Sequence, residues 1–362
     1  MTDGNIRVLV VDDSPLVRNI LAQSLSMDAR IEVVGAAKDA FEAWDLIMQL
    51  KPDVVTLDVD MPKMDGVEFL KRLMPQHPVP VIMVSALTRE GAKITLEALE
   101  YGAVDFVTKP AADMARGLTG MLTELVEKIK AAASVNRASL GQGRARAGGR
   151  VERGAKPEGA PATKLIAIGA STGGTDAIRS VLTRIPSNAP AILIVQHMPA
   201  GFTKVFAERL NEISTVSVKE AESGELARNG QALVAPGDLQ MRIKKTGDGY
   251  HVICEPGERV NGHCPSVDVM MLSVAQIAGP GAVGVVLTGM GFDGGEGLLA
   301  MRQAGARTIA QDKATSVVYG MPRVAFEKGG VERQAPLDQI PSLIMRMATE
   351  AGGKGGAFRR NL

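Results

Sequence analysis

Short runs of β-branched and aliphatic residues alternate with amphipathic segments along the first 133 residues. The apolar runs predict strands at 6–11, 31–36, 53–57, 80–84 and 104–107. The amphipathic segments predict helices at 15–26, 39–50, 65–75, 88–100 and 112–133. Five alternating strand–helix pairs are typical of a parallel sheet with helices on both faces. In a doubly wound sheet, the carboxyl ends of strands 1, 3, 4 and 5 meet at one crevice.

The alternation stops at SLGQGRARAGGRVERGAKPEGAPAT, residues 139–163, which is rich in Gly, Ala, Arg and Pro. A segment with so few large apolar residues cannot bury a core, so a flexible linker is predicted over 134–163. Its arginines hint at an anionic partner, but a solvated spacer is the favoured interpretation. The prediction is therefore a domain over 1–133, the linker, a second domain over 164–350, and a disordered tail over 351–362.

The second domain resumes the strand–helix pattern. Buried strands are predicted at 165–169, 191–196, 232–236 and 282–288. Helices are predicted near 175–184, 202–211, 267–278, 294–304 and 338–350. Two further runs, 240–245 and 250–254, indicate a hairpin around Gly247 and Gly249. The expected fold is a doubly wound, mostly parallel α/β domain with a β-hairpin.

Composition limits the functional classes. A formal net charge of +1 gives no global reason to expect nucleic-acid binding. No apolar run approaches the roughly 20 residues that cross a bilayer, so no direct membrane insertion is expected. Cys254 and Cys264 form neither a disulfide framework nor a paired zinc spacing. The N-terminal MTDGN has no secretory pattern, and the cytoplasm is the expected location.

The candidate chemistry of the first domain lies at strand ends. Asp12 and Asp13 follow the first apolar run, Asp58 ends the third, and Lys109 ends the fifth. Crowded carboxylates favour a divalent cation, and a lysine beside them would hold an anion. For any single Asp, a solvated loop edge is the simpler interpretation. Four such groups at strand ends instead indicate a metal-assisted phosphoryl site with an aspartate acceptor.

The motifs VVDDS (10–14), TLDVDMPKMDG (56–66), VSA (84–86) and DFVTKP (105–110) resemble the receiver domain of response regulators. That resemblance implies a flavodoxin-like five-stranded parallel sheet with Asp58 as the phosphate acceptor. It further implies Mg²⁺ held by Asp12, Asp13 and Asp58, and a histidine kinase as phosphodonor. By the same resemblance, Ser85, Phe106 and Lys109 are the switch residues.

Three residues of the second domain follow predicted strands. GASTGG (169–174) fits the G-x-S-x-G spacing of a nucleophile turn around Ser171, although it also fits a phosphate cradle. His197 alone could be a satisfied loop residue, and Asp293 alone could be a helix N-cap. Together they supply a serine nucleophile, a base, and an acid that fixes the tautomer of the base. The chain order Ser, His, Asp differs from that of α/β-hydrolases.

The motifs IGASTGG, VQHMP, GHCPSVDVM and LTGMGFDG resemble the CheB family of chemotaxis protein-glutamate methylesterases. The resemblance implies phosphorylation-activated hydrolysis of glutamate γ-methyl esters on chemoreceptors, with glutamine deamidation by the same chemistry. It implies Ser171, His197 and Asp293 as the triad, and Thr172 and Met290 in the oxyanion hole and site wall. The esterase is expected to need no cofactor. Phe292 departs from the polar residue expected there.

Two alternatives remain open from the sequence. A response regulator with a DNA-binding output would need a basic helix-turn-helix, which the strand–helix alternation disfavours. A nucleotide-binding output rests on GASTGG alone. His263 and Cys264 suggest a metal site or a Cys–His pair, but a structural or substrate-facing loop is the favoured interpretation, because no further ligand cluster is near in sequence.

Overall fold

The computed structural model describes residues 5–109, 114–135 and 164–349. The chain divides into two compact units, Met1–Arg146 and Ala147–Leu362. Most of the predicted linker, 136–163, and the predicted tail, 351–362, lie outside the described residues. Among the described residues, no helix combines the length and the apolarity that a bilayer span requires.

The first unit is a five-stranded parallel sheet with alternating helices. Its strands are β1 (Ile6–Val11), β2 (Ile31–Ala37), β3 (Val54–Asp58), β4 (Val81–Ala86) and β5 (Asp105–Lys109). Its helices are α1 (Pro15–Leu25), α2 (Ala40–Leu50), α3 (Gly66–Gln76), α4 (Arg89–Glu100) and α5 (Met114–Ala133). The strand order is β2-β1-β3-β4-β5, so the carboxyl ends of β1, β3, β4 and β5 line one edge of the sheet, as predicted.

Side-chain caps fix where the first four helices begin. The side chains of Ser14, Asp39, Asp65 and Thr88 each accept a backbone N–H from the first turn of the following helix. Such caps satisfy N–H groups that have no partner within the helix. The caps therefore fix the first turn of each helix, and three of them, at Ser14, Asp65 and Thr88, follow strands whose ends carry candidate residues.

The second unit contains a seven-stranded parallel sheet and a separate hairpin. The sheet strands are β6 (Leu165–Ala170), β7 (Ala191–Gln196), β8 (Ser217–Glu220), β9 (Gln231–Val234), β12 (Ala282–Val286), β13 (Arg307–Gln311) and β14 (Arg333–Ala335). The antiparallel hairpin is β10 (Gln240–Thr246) and β11 (Gly249–Glu255). The helices are α6 (Gly174–Leu182), α7 (Phe202–Ile213), α8 (Val267–Ile277), α9 (Gly295–Gln303), α10 (Met321–Glu327) and α11 (Ile340–Thr349).

The order of this sheet is β14-β13-β12-β6-β7-β9-β8. The chain leaves β6 towards β7 and later returns to its other side with β12. The order therefore reverses between β6 and β12, and the crevice at such a reversal is where ligands bind in α/β sheets. The central strands β6, β7 and β12 are buried along their whole length, which explains their continuous apolar sequences.

The sequence-based expectation missed three strands and one helix of this unit. Strand β8 has four residues and β14 has three, and both lie towards the sheet edges. Strand β13 has the sequence RTIAQ, so its apolar run is only two residues long. Helix α10 spans seven residues and begins with Met-Pro. The mostly parallel doubly wound class is nevertheless confirmed.

Candidate functional site

The acidic cluster of the first unit is assembled at the carboxyl edge of its sheet. Carboxylate oxygens of Asp12, Asp13 and Asp58 lie within 4.8 Å of one another. Lys109 Nζ lies 2.9 Å from an oxygen of Asp12 and 2.8 Å from an oxygen of Asp58. One ammonium group therefore bridges the two buried carboxylates, and all four predicted residues meet at one place.

Burial and charge perturb this cluster in opposite directions. Burial raises the pKa of Asp58 to about 6, although hydrogen bonding and charge from Lys109 act against the rise. Burial alone would lower the pKa of Lys109, but its contacts with Asp58 and Asp12 outweigh burial and raise it. A charged lysine is thus retained beside the Asp58 carboxylate, which is costly to ionise.

The donor set of this cluster fits a hard divalent cation. Three carboxylates with adjacent oxygens are the kind of ligand that Mg²⁺ takes from proteins. Asp13 is exposed whereas Asp12 and Asp58 are buried, so the group combines a fixed interior pair with a solvent-accessible oxygen. The geometry supports the predicted cation site.

The two remaining switch candidates lie on neighbouring strands. Ser85 pairs in register with Thr108, one residue before Lys109. Its buried hydroxyl lies 3.4 Å from the carbonyl oxygens of Ala86 and Gly91, so it is directed towards the start of α4. Phe106 is buried, with Lys128 Nζ 5.2 Å from the centre of its ring.

In the second unit, Ser171, His197 and Asp293 follow β6, β7 and β12, which are adjacent in the sheet. The backbone N–H of His197 donates to the carbonyl of Ala170 at 3.1 Å. Ser171 and His197 therefore leave neighbouring strand ends at the same level. The sequence-predicted trio is brought to one edge, at the point where the strand order reverses.

The turn at Ser171 is held by several backbone contacts. Its carbonyl accepts the N–H of Gly174 at 2.7 Å and the side-chain amide of Gln196 at 3.0 Å. Its own N–H donates to Thr288 at 3.1 Å. A Cβ at Gly289 would lie 2.8 Å from the Ser171 Cβ, so glycine is required there for the two loops to approach.

Asp293 is the most heavily bonded side chain of the site. One oxygen lies 2.9 Å from His197 Nε2 and accepts the backbone N–H of Val267 at 2.6 Å. The other accepts from Asn261 Nδ2 and Ser266 Oγ, each at 2.8 Å, and from the N–H of Asp268 at 3.2 Å. The carboxylate therefore sits at the N-terminus of α8, where helix N–H groups favour negative charge.

This position corrects the alternative interpretation of Asp293 as a helix N-cap. Helix α9, which follows it in sequence, begins after Gly294 (φ 86°) without a side-chain cap. Asp293 instead binds the start of a helix that precedes it by about 26 residues in the chain. The contact is tertiary, so the residue links two loops rather than beginning its own helix.

Two buried carboxylates with different acidities lie next to each other here. Burial acts to raise the pKa of Asp293, but hydrogen bonds and charge from His197, Asn261 and Ser266 prevail and lower it. Burial raises the pKa of Asp268 to about 6, and the charge of Asp293 adds to that rise. Asn261 Nδ2 donates to both carboxylates, at 2.7 Å to Asp268 and 2.8 Å to Asp293. Asp293 is thus the one kept ionised.

The imidazole of His197 has one bonded and one unbonded nitrogen. Nε2 faces Asp293, whereas Nδ1 is buried and has no hydrogen-bond partner within the described parts of the chain. No hydrogen bond joins it to the Ser171 hydroxyl in residues 164–349. Nδ1 is consequently the nitrogen available to a serine or a substrate. One face of the ring stacks on His263, with centroids 3.6 Å apart.

The less central predicted residues lie around the same loops. Thr172 is buried, and its carbonyl accepts the Thr288 hydroxyl at 3.0 Å. Met290 is partly buried, and its backbone N–H has no acceptor among the described residues. An N–H free to donate beside the candidate nucleophile suits an oxyanion. Phe292 is 56% exposed, so it stands at the surface next to Asp293.

The sequence interpretation did not identify the residues that support the trio, which are Gln196, Asn261, Ser266 and Asp268. Three of them had a usable signal, because Gln196 lies in VQHMP and both Ser266 and Asp268 lie in GHCPSVDVM. Asn261 stands just before that motif and adopts φ 54°. Its role depends on contacts across the fold, which no local pattern reveals.

Two family models match the chain. One is described as the response regulator receiver domain and matches residues 8–118; the other is described as CheB methylesterase and matches residues 166–344. The first crevice therefore belongs to a receiver, and the second belongs to a hydrolase. The chain is a response regulator with an enzymatic output, and the nucleotide-binding and DNA-binding alternatives are not favoured.

Relatives match along nearly the whole chain. A protein of Syntrophotalea carbinolica, named protein-glutamate methylesterase/protein-glutamine glutaminase, is 54% identical over 346 residues, covering 95% of this chain and 98% of that relative. One of Syntrophomonas wolfei, with the same name followed by 2, is 52% identical over 345 residues, again covering 95% and 98%. The Thermotoga maritima CheB methylesterase catalytic domain aligns with TM-score 0.50 and 37% identity, covering 51% of this chain and 98% of that structure. The chain belongs to the CheB methylesterase family.

Proposed function

We propose that this protein removes γ-methyl esters from glutamate side chains of chemoreceptors, releasing methanol, and deamidates glutamine at such sites. Its role would be adaptation in chemotaxis-type signalling, on the cytoplasmic parts of the receptors. The observation that carries the proposal is the 2.9 Å contact between His197 and Asp293 at the sheet reversal, with His197 Nδ1 left without a hydrogen-bond partner among the described residues. The names of the relatives support the substrate class.

The arrangement suits acyl transfer through a serine. The Ser171 hydroxyl attacks the ester carbonyl while His197 Nδ1 accepts its proton, and the proton then passes to the departing methanol. Water hydrolyses the acyl-serine by the same steps, leaving a free glutamate. With glutamine as substrate, ammonia leaves in place of methanol. Asp293 keeps Nε2 protonated and stabilises the imidazolium.

Two backbone groups are proposed to stabilise the developing oxyanion. The N–H of Met290 has no acceptor among the described residues, and it belongs to the loop that contacts Ser171 through Gly289. Thr172 directly follows the nucleophile, which is where a second donor is expected in a turn of this kind. Preorganised N–H donors cost no reorganisation when the charge forms.

Regulation is proposed to occur at Asp58. Its carboxylate would accept a phosphoryl group from a chemotaxis histidine kinase, and phosphorylation would raise esterase activity. Asp12, Asp13 and Asp58 would hold Mg²⁺, which supplies charge neutralisation during phosphoryl transfer. Lys109 already pairs with Asp58 at 2.8 Å, so it is placed to remain paired with the new phosphate. The added negative charge would shift the conformational equilibrium of the switch residues Ser85 and Phe106.

Methanol release from a methylated receptor tests the nucleophile. Ser171→Ala is expected to abolish release, while Ser180→Ala, on the following helix, is expected to leave it unchanged. The receiver of the Ser171 variant should still accept phosphate from a small-molecule phosphodonor, which shows that the first unit is folded, and thermal unfolding checks the second unit. Normal methanol release by Ser171→Ala would overturn the assignment.

A phosphodonor experiment tests the regulatory site. Asp58→Asn is expected to remove incorporation of labelled phosphate and the stimulation of methanol release, whereas Asp60→Asn, at an exposed neighbour, should retain both. Chelation of Mg²⁺ should have the same effect on phosphorylation as the Asp58 substitution. Undiminished labelling of the Asp58 variant would place the acceptor elsewhere.

A further inference from the structure

We infer that His263 is a positioning residue for His197, and that its ring fixes the plane of the catalytic imidazole by stacking on it. This inference rests on the proposed function, because it assigns His263 a role only if His197 is the base. Neither ring nitrogen of His263 needs to react. The residue acts through His197 rather than on the substrate.

The contact between the two rings is face to face. Their centroids are 3.6 Å apart and their planes differ by 12°. The bond from Nε2 to Asp293 restrains one point on the His197 ring, but the ring can still rock about that point. A flat partner in van der Waals contact across the whole face removes this freedom. The direction of Nδ1 is thereby fixed as well.

The stacking partner is itself held rigidly. The backbone N–H of His263 donates to Val260 at 2.9 Å, and its carbonyl accepts from Val260 at 3.0 Å. The same carbonyl accepts from the buried side chain of Gln240 at 3.2 Å. Gln240 also accepts the N–H of Ser266 at 2.9 Å. These bonds attach the loop 260–266 to the first residue of β10.

The same loop also restrains the acid. Asn261 and Ser266 both donate to Asp293 at 2.8 Å, and His263 lies between them in sequence. One short loop thus contacts both the candidate base and the candidate acid, from two directions. A loop that only lined the substrate cleft would not need to bind both of them.

A metal-binding role for His263 is not supported. Among the described residues, the one group of three or more His, Cys, Asp or Glu side chains suited to a metal is that of Asp12, Asp13 and Asp58. His263 is not part of it. Its contact with His197 is through the ring face, whereas metal ligation uses the ring-edge nitrogens.

The test compares variants that keep or lose a flat ring in the full-length protein. His263→Phe retains a ring that can stack, while His263→Ala and His263→Asn do not. Arg259→Ala is the matched control, because Arg259 is exposed and its one hydrogen bond within the described part of the chain is to the nearby carbonyl of Gly262, at 3.3 Å. Thermal unfolding identifies any variant that fails to fold. Two non-stacking variants are made so that one can still be tested if the other does not fold.

The first readout is the low-field proton resonance of the N–H between His197 and Asp293. It is expected in the wild type, in His263→Phe and in Arg259→Ala, and is expected to broaden or vanish in His263→Ala and His263→Asn. The second readout is methanol release. The non-stacking variants should lose about 10- to 100-fold in kcat with KM unchanged, and His263→Phe should recover most of that loss.

Each alternative gives a different result. A rise in KM with unchanged kcat would show that His263 contacts the substrate, and would overturn the inference. Equal losses of kcat in His263→Phe and His263→Ala would also overturn the inference, because stacking would then be irrelevant. A loss of kcat in Arg259→Ala equal to that in His263→Ala would overturn it too. The resonance does not depend on turnover, so a failure of the proposed function, seen as activity in Ser171→Ala, is distinguishable from a failure of this inference.

Discussion

Replacing Asp293 by asparagine separates two contributions of this residue to catalysis. One is its negative charge, and the other is the hydrogen bond by which it orients His197. The amide can turn its oxygen towards Val267 and His197, or towards Asn261 and Ser266. The bond from Val267 is the shortest, at 2.6 Å, and a buried N–H without an acceptor costs about 1–3 kcal/mol. On the other side, the Ser266 hydroxyl can rotate and become an acceptor, Asn261 keeps its bond to Asp268 at 2.7 Å, and the bond that is lost, from the Asp268 N–H, is the longest at 3.2 Å. The oxygen should therefore keep facing Val267 and His197.

In that orientation His197 keeps its tautomer and loses only the neighbouring charge. A unit charge pair about 4 Å apart in a partly buried site interacts by about 4 kcal/mol. The hydrogen bond that remains returns about 1 kcal/mol. The net loss of about 3 kcal/mol corresponds to a fall in kcat of roughly 100-fold. If the amide turned the other way, His197 would take the wrong tautomer and the fall would approach 10⁴-fold.

The assay is steady-state methanol release, with urea unfolding to measure stability. Asp268→Asn is the matched control, because Asp268 shares Asn261 with Asp293 but does not contact His197. The control should retain activity within a few-fold. Activity of Asp293→Asn within a factor of three of wild type would refute the reasoning, since no charge partner would then be needed.

Three further predictions concern other parts of the chain. Lys109→Met leaves two buried carboxylates without their cation, and should destabilise the first unit by about 1–3 kcal/mol. The loss should be greater at pH 8 than at pH 5. The fluorescence of Trp44, the single tryptophan, reports the unfolding of this unit in denaturant. Gly289→Ala places a Cβ 2.8 Å from that of Ser171 and should lower kcat at least about 10-fold; unchanged kcat would contradict the close approach. Burial raises the pKa of Asp268 to about 6, so its ionisation costs the folded state stability progressively from about pH 4 to pH 6. Calorimetry should show that the free energy of unfolding of the wild type falls by up to about 3 kcal/mol relative to that of Asp268→Asn between pH 4 and pH 6. If the stability of the two proteins changed equally with pH, the raised pKa of Asp268 would be excluded.

The sequence predicted the strand ends well because the central strands are buried on both faces. An uninterrupted apolar run ends where the chain leaves the sheet, so Asp58 and His197 could be placed without coordinates. The doubly wound order then implied which ends meet. Neighbouring strands could be inferred in this way, although they are far apart in the chain.

The supporting contacts could not be predicted, since they depend on how loops fold over that edge. Asp293 resembles an N-cap of the helix that follows it, yet it binds the start of α8 instead. Asn261 reaches it from 32 residues away, in a left-handed conformation that only the local turn explains. Edge strands such as β14, with two of its three residues exposed, carry too little apolar sequence to be recognised.

The parallel pairing of β12 beside β6 has a kinetic consequence. Leu165 in β6 lies opposite Ala282 in β12, more than a hundred residues further along the polymer. Contacts of such long range form late during folding, because a large loop must close first. A nascent or refolding chain should therefore pair β6 with β7 well before β12 docks and before it can hydrolyse an ester. The rate at which ester hydrolysis recovers during refolding would then report the rate at which β12 docks beside β6.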